Sequence, residues 1–278
     1  MKALMQTTLF LAASLLAGAA AAQTEVPKQV KIVVPFTAGA SNDAIARAIA
    51  PQLAARFGNI VIVENRGGAA GAIGSEYVAR SPKDGSVLLL TSSTFLTTAA
   101  TQPHLPYDPL KQFAPVAMIG QGPLVIAASA QTPYTSLKQL LEAARAKPGA
   151  LNYGSAGVGS LAHLAAVMMD DAAGTDMTHV PYKGAANAAS DLAGGLIQVM
   201  LSNYSTLAPM VQGKKVKLLA TTAQESSPAF PDLQPAAHAL PGYSVQIWVG
   251  LFAPAGTPQP YIDKLNAALN DISTTPEM

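Results

Sequence analysis

The stretch Phe36-Thr37-Ala38-Gly39-Ala40-Ser41-Asn42-Asp43 separates an apolar run, Val30 to Val34, from a segment with apolar residues at Ile45, Ile49 and Leu53. Small polar residues between a buried strand and a helix have one evident chemistry. Backbone N–H groups and hydroxyls can approach a ligand closely there, and the helix N-terminus behind them favours an anion. Ser41-Asn42-Asp43 also supplies N-cap side chains, and Asp43 stands four residues from Arg47, the spacing of a helical ion pair. Three further loops of Gly, Ser, Thr or Asn follow apolar runs: Thr91 to Thr94, Gly154 to Ser160, and Ser202 to Ser205. The residues singled out in them are Thr91 and Ser92, then Ser155, Ala156, Gly157 and Ser160, then Ser202.

Rival chemistries are poorly served. Tyr153-Gly154-Ser155-Ala156-Gly157 has tyrosine where a nucleophile elbow needs glycine, so Ser155 reads as a ligand hydrogen-bonder or turn residue. Gly157 to Ala162 has the form G-x-G-x-x-A, but it does not sit in the first strand–helix unit, and Asp176 precedes the next strand rather than ending it. The 4 histidines are scattered without zinc-site spacing. His163, in the first turn of a helix, either faces a cleft or packs locally. Asp43 and Asp191 either cap helices or contact a ligand. Neither a metal nor a cofactor is expected.

These loops require strands and helices to hold them. The runs Val30 to Val34, Asn59 to Asn65 and Ser86 to Ser93 alternate with helical segments, an order that predicts a parallel sheet covered by helices on both faces. Pro51 predicts a kink or an early end in the first helix. The Gly68 to Gly74 run reads as a surface for close helix packing rather than a phosphate loop. The pattern then restarts: Pro123 to Ser129 as a strand, a helix with Ser136 and Gln139 spaced as a capping box, and further strand and helix units to a final helix beginning near Tyr261. Two α/β lobes place a cleft between them, with ligands outside the carboxyl ends of the strands.

Composition narrows the partners. With 278 residues, no cysteine, 12% charged residues and a net charge of +1, the chain has neither the basic face of a nucleic-acid binder nor a need for disulfides. Residues 1–22 combine Lys2, an apolar run from Leu9 to Leu16, and Ala20 and Ala22 in an A-x-A pattern. This is the form of a cleaved secretory signal, and it predicts a freely soluble periplasmic protein.

Several segments in order, VKIVVPFTAGASNDAIAR, IVIVENRGGAAGAIGSEYVARSPKDGSVLLL, LNYGSAGVGSLAHL and HVPYKGAANAASDLAGG, resemble the substrate-binding proteins of tripartite tricarboxylate transporters, the Bug or TctC-like family. The resemblance runs from about Val30 onward. It implies a type II periplasmic binding fold. Its two α/β domains would be residues 24–123 with 223–278, and residues 124–222, closing by a hinge over a small organic acid. It implies no enzyme, and a monomer that delivers its guest to an inner-membrane transporter or a sensor. A secreted α/β hydrolase is the alternative. Carried over residue by residue, the ligand positions are Phe36, Thr37, Ala38, Gly39, Ala40, Ser41 and Asp43, Tyr153 to Ser160, and Asp191. Ala40 stands where the family usually has a second glycine, which narrows the pocket or restricts backbone approach. The last residues, Thr274 to Met278, precede the tail such proteins normally carry.

Overall fold

The computed structural model of the chain describes residues 26–275; the leader expected at residues 1–22 lies outside them. The Val30 to Val34 run becomes β1 (Gln29–Val34), where Ile32 and Val34 enter one hydrophobic cluster and Val33 another. Such two-sided burial is what a strand needs when helices cover both faces of its sheet. There follow α1 (Ser41–Phe57), β2 (Ile60–Asn65), a 3-10 turn (Ala69–Gly71), α2 (Ala72–Ala79) and β3 (Val87–Ser92). β1 pairs in parallel with both β2 and β3, as the alternating order predicted.

α1 runs through Pro51 and stops at Gly58, whose φ of +62° suits a helix end. The early end expected at Pro51 does not occur. Pro51 lies on the exposed face, where a carbonyl deprived of its donor meets water, while Ile49 and Leu53 hold the helix to the sheet. The glycine run does serve packing. A β-carbon on Gly74 would come within 2.8 Å of the Arg66 carbonyl oxygen and of Pro35 Cα, so glycine lets α2 lie directly against the strand ends.

The chain continues through α3 (Thr94–Thr101) and β4 (Phe113–Pro123), then enters a second group of elements. These are β5 (Val125–Ser129), α4 (Leu137–Ala146), β6 (Asn152–Ser155), α5 (Leu161–Ala173), β7 (Thr178–Pro181), α6 (Ala185–Gly194), β8 (Val199–Ser202), α7 (Tyr204–Gln212) and β9 (Val216–Thr221). It closes with β10 (Gln246–Pro254) and α8 (Gln259–Ser273). At α4, Ser136 accepts the Gln139 N–H as expected, but Gln139 Oε1 reaches back to Thr135 N rather than to Ser136.

Among the described residues two five-stranded sheets result, in the orders β2-β1-β3-β10-β4 and β7-β6-β8-β5-β9. Neither is wholly parallel, which corrects the expectation. β10 runs antiparallel to β3 and β4, and β5 antiparallel to β8 and β9. The cause is the double crossing between sheets. β10 starts beside the end of β4, with Gln246 opposite Pro123, and β9 ends beside the start of β5, with Thr221 opposite Val125. The two crossing segments therefore lie side by side. The Thr222 hydroxyl ties them: it accepts the Leu124 N–H at 2.9 Å and donates to the Val245 carbonyl at 2.6 Å.

Each sheet is buried on both faces. In the first, Leu88, Leu90, Leu251 and Leu265 fill one side, and an aromatic group of Phe95, Tyr107 and Phe113 fills the other. In the second, Leu140, Met169 and Leu201 lie on one side, and Leu192, Met200 and Leu207 on the other.

Candidate functional site

The first-sheet loops and the second-sheet loops meet at a cleft holding about 510 Å³ of empty space, its mouth included. From the first sheet come Phe36, Ala40, Ser41 and Asn42 after β1, and Ser92 and Thr94 after β3. From the second come Ala156, Ser160, Leu161 and Ala162 after β6, and Ser202, Asn203 and Thr206 after β8. Ala185 at the start of α6, Met200 and Leu201 of β8, and Leu124 and Ile247 near the crossings complete the wall.

Five helices, α1, α3, α5, α6 and α7, thus place first-turn residues on one cavity. First-turn amides lack intrahelical partners, and aligned peptide dipoles leave partial positive charge at each N-terminus. The wall contains no Lys, Arg, His, Asp or Glu. The side-chain amide nitrogen Nδ2 of Asn42, a residue only 5% exposed, has no hydrogen-bond partner. A buried donor without a partner is costly, so Nδ2 marks a place where something else accepts.

The loop after β1 is rigidly braced. Asp43 Oδ2 accepts the Gly39 N–H at 3.0 Å, and Arg47 Nε donates to Asp43 Oδ1 at 3.0 Å. Arg47 Nη2 also donates to Asn65 Oδ1, while Asn65 Nδ2 donates to the Phe36 carbonyl at 3.2 Å. Burial pushes the Asp43 carboxyl up, but the Arg47 guanidinium, the Gly39 N–H and Asn65 outweigh it and hold it below the ordinary carboxylate range. Asp43 is therefore spent on the scaffold behind the wall, and Gly39 adopts φ +84°, which glycine tolerates.

Of the residues expected from sequence, the structure brings Phe36, Ala40, Ser41, Ser92, Ala156, Ser160 and Ser202 to the cleft wall. The others sit elsewhere. Ala38 and Gly39 are exposed, and Thr91 is buried within β3, opposite Gly250. Thr37 and Asp191 line a separate, shallower groove with Tyr182 and Lys183. There the Tyr182 hydroxyl donates to Asp191 Oδ2 at 2.7 Å, and burial together with that carboxylate pushes Tyr182 up to about 12.

Ser155, Tyr153 and His163 form a cluster behind the α5 loop. Ser155 is fully buried, with Oγ 2.7 Å from His179 Nε2 and 3.1 Å from the Gly157 amide nitrogen, whose N–H it accepts. The His163 ring stacks on His179 at 4.1 Å between centroids, and His179 on Tyr153 at 4.9 Å. His163 Nδ1 accepts the Gly159 N–H at 3.3 Å, so that nitrogen is unprotonated. Burial holds His163 below its ordinary value; burial and then the neighbouring His163 bring His179 down to about 4.

Asn42, Thr94 and Asn203 fall inside the strand-end loops picked out from sequence, whereas Leu124, Leu161, Met200, Thr206 and Ile247 lie outside them and have the character of ordinary core and helix-start residues.

Residues 45–278 match the tripartite tricarboxylate transporter family receptor. The chain belongs to this family. Among curated relatives of the receptor, Protein BugT of Bordetella pertussis is 31% identical over 266 residues, covering 95% of this chain and 82% of the relative. MatC from Rhodopseudomonas palustris with bound malate superposes with a TM-score of 0.84 at 33% identity, covering 90% of this chain and 85% of MatC. The R. palustris protein Rpa4515 with adipate gives a TM-score of 0.84 at 33% identity, covering 87% and 81%. The receptor is thus a solute-binding protein of the periplasmic binding type. Family and neighbours are binders, not enzymes, and the hydrolase alternative has no support. The burial of Ser155 agrees with that, since its hydroxyl is turned to His179 and the Gly157 backbone rather than to the cleft.

Proposed function

We propose that the receptor captures a small carboxylate-bearing metabolite in the periplasm, as a monomer, and delivers it to an inner-membrane transporter or a sensor. The observation that carries this reading is the meeting of five helix N-termini and the unpartnered Asn42 amide at a wall without charged side chains. Neutral donors and peptide dipoles hold an anion there without a buried cation, each charge-assisted hydrogen bond contributing about 1.5–3 kcal/mol. The malate-bound and adipate-bound relatives are consistent with such a guest.

Sheet membership and the crossings at Leu124 and Thr222 support the division into residues 24–123 with 223–278, and 124–222, except that 223–245 pack on the second lobe, where Leu240 and Tyr243 join the core and the Tyr243 hydroxyl donates to the Ala165 carbonyl. Two antiparallel crossing segments tied by one hydroxyl suit a hinge, because bending there disturbs few contacts. Shutting the lobes expels water and strengthens every hydrogen bond to the guest; reopening releases it unchanged.

Thermal denaturation with millimolar carboxylates tests this. A ligand at a hundred times its Kd should add about 2.7 kcal/mol of stability, a clear rise in Tm, while the compound is recovered intact. Absence of any shift across a broad carboxylate panel, or consumption of the compound, would overturn the reading.

A further inference from the structure

The loop of residues 157–159 is clamped from two sides. From the first lobe, Thr97 Oγ1 donates to the Gly159 carbonyl at 2.9 Å, and Gln102 Nε2 donates to the Val158 carbonyl at 3.2 Å. The fit is close there, since a β-carbon on Gly159 would collide with Thr101 Oγ1. From its own lobe, His163 Nδ1 accepts the Gly159 N–H at 3.3 Å. We infer that this loop and His163 form an acid-sensitive latch: a proton taken up by the His163 imidazole frees the second lobe from the first and weakens the hold on whatever guest the cleft contains. The inference rests on the hinge closure proposed above and not on the chemistry of the guest.

The accepting nitrogen is the first reason. A protonated imidazole carries hydrogen on both ring nitrogens and can only donate. Nδ1–H would then face the Gly159 N–H, donor against donor. Flipping the ring brings no relief, because Nε2 is protonated as well. The loop must move, and it carries the carbonyls that Thr97 and Gln102 grip. Leu161 N–H, which donates to Thr94 Oγ1 of the first lobe at 3.2 Å, follows the same loop and loses its seat with it.

The surroundings of the imidazole are the second reason. Its ring stacks on His179, whose Nε2 lies 2.7 Å from Ser155 Oγ, and Tyr153 stacks on the far side of His179. Asp170, which acts on Tyr153, is committed to the Thr175 hydroxyl and the Met177 N–H, with Asp176 acting on it in turn. Lys183 and Tyr182 border Gly157 and Val158 from the β7 side. α3, packed on the loop from the first lobe, contains no ionisable residue. A proton on His163 therefore meets a second imidazole and no free carboxylate.

The sign follows from burial. Closed, His163 is held below its ordinary value by burial, and His179 is brought down to about 4 by burial and then by His163. Parting the lobes bares the loop and lets His163 return toward the ordinary 6.5. Below about pH 6.5 the open form binds a proton that the closed form refuses, so opening becomes easier as pH falls. By the same linkage, a guest that closes the lobes makes His163 harder to protonate.

Amide hydrogen exchange of the ligand-free wild-type protein, followed by NMR from pH 7.5 to 5 and corrected for the intrinsic rate at each pH, tests the latch without any guest. Three amides report on it: Gly159, Leu161, and Ser41, whose N–H donates to Thr206 Oγ1 across the seam at 3.1 Å. The Lys31 N–H, bonded to the Ser86 carbonyl inside the first lobe, is the control. The expected result is that all three lose protection together below about pH 6.5, approaching tenfold per pH unit, the slope of one proton. Lys31 should hold its protection, and the His163 ring signals should titrate over the same range. Loss at Gly159 with Ser41 unchanged makes the rearrangement local and overturns the inference. Equal loss at Lys31 makes it global unfolding and overturns it too. His163→Asn offers Oδ1 as an acceptor that does not protonate, so Ser41 and Leu161 should keep their protection at pH 5. Wild-type losses in that folded variant would place the sensor elsewhere and overturn the inference. Should the variant fail to fold, the wild-type comparison of Ser41, Lys31 and the His163 ring decides alone.

Discussion

The backbone N–H of Ser41, at the start of α1, donates to the hydroxyl of Thr206 in α7, 3.1 Å away and 165 residues further along the chain. One residue belongs to the first sheet's helices and the other to the second's. Thr97 Oγ1 donating to the Gly159 carbonyl at 2.9 Å, and Leu161 N–H donating to Thr94 Oγ1, join the same two halves on the far side of the cleft. The lobes are latched by neutral hydrogen bonds that form only when they meet.

Thr206→Val removes the acceptor for Ser41 while keeping the shape of the side chain. A hydrogen bond of this kind contributes about 0.5–1.5 kcal/mol, so affinity for a bound carboxylate should fall roughly two- to tenfold. Titration calorimetry measures this. An affinity equal to wild type would show that the Ser41–Thr206 bond does not help to hold the closed state.

A tighter constraint sits at Gly184. A β-carbon there would lie 2.2 Å from Thr37 Oγ1 and 2.9 Å from Thr37 N, across the seam between the lobes. Gly184→Ala should therefore keep the lobes from meeting while disturbing neither core. Overpacking of this kind costs about 1–3 kcal/mol, corresponding to about 5- to 150-fold weaker binding. The ligand-free Tm should stay near that of wild type. If ligand binding is untouched while Tm falls, Gly184 matters for folding and not for closure.

The imidazole stack makes stability depend on pH. His179 titrates near 4 in the folded protein against an ordinary value of 6.5, and His163 is also lowered. Between those values the unfolded chain binds protons that the folded protein refuses, so stability is highest above about pH 6.5 and declines as pH falls toward 4. The groups facing the stack are Tyr153, pushed up to about 12 by burial, and Asp170, raised by burial and near enough to act on Tyr153. His179→Gln should flatten the dependence of Tm on pH between 4 and 6.5, leaving the part due to His163. A variant profile parallel to wild type would assign the acid sensitivity to other groups.

Much of the architecture was legible in residue order. The Val30 to Val34 strand, the Ser136 cap and the Gly-Ser loop after β6 all announce themselves by local chemistry, because burial and capping act over a few residues. β4 was not picked out from sequence, and within it Pro115, Gly120 and Gly122 are residues that weaken a strand. An edge strand tolerates them, and only its place in the sheet makes it an edge. The wall divided in the same way. Ser41, Ser160 and Ser202 follow strands and could be picked out, whereas Leu124, Met200 and Ile247 are ordinary apolar residues until the crossings bring them to one cavity.

Sequence by itself determined the helix starts, the small residues around them, and the absence of a nucleophile or metal set at working spacing, because these depend on near neighbours along the chain. Tertiary structure alone decided which polar groups are already satisfied. Ser155 faces His179, the Ser41 N–H is taken by Thr206, and Asn42 is left with an unanswered donor. Hydrogen-bond partners drawn from segments 24 to 165 residues apart cannot be read from local pattern, since it is the double crossing of the chain that brings them within reach.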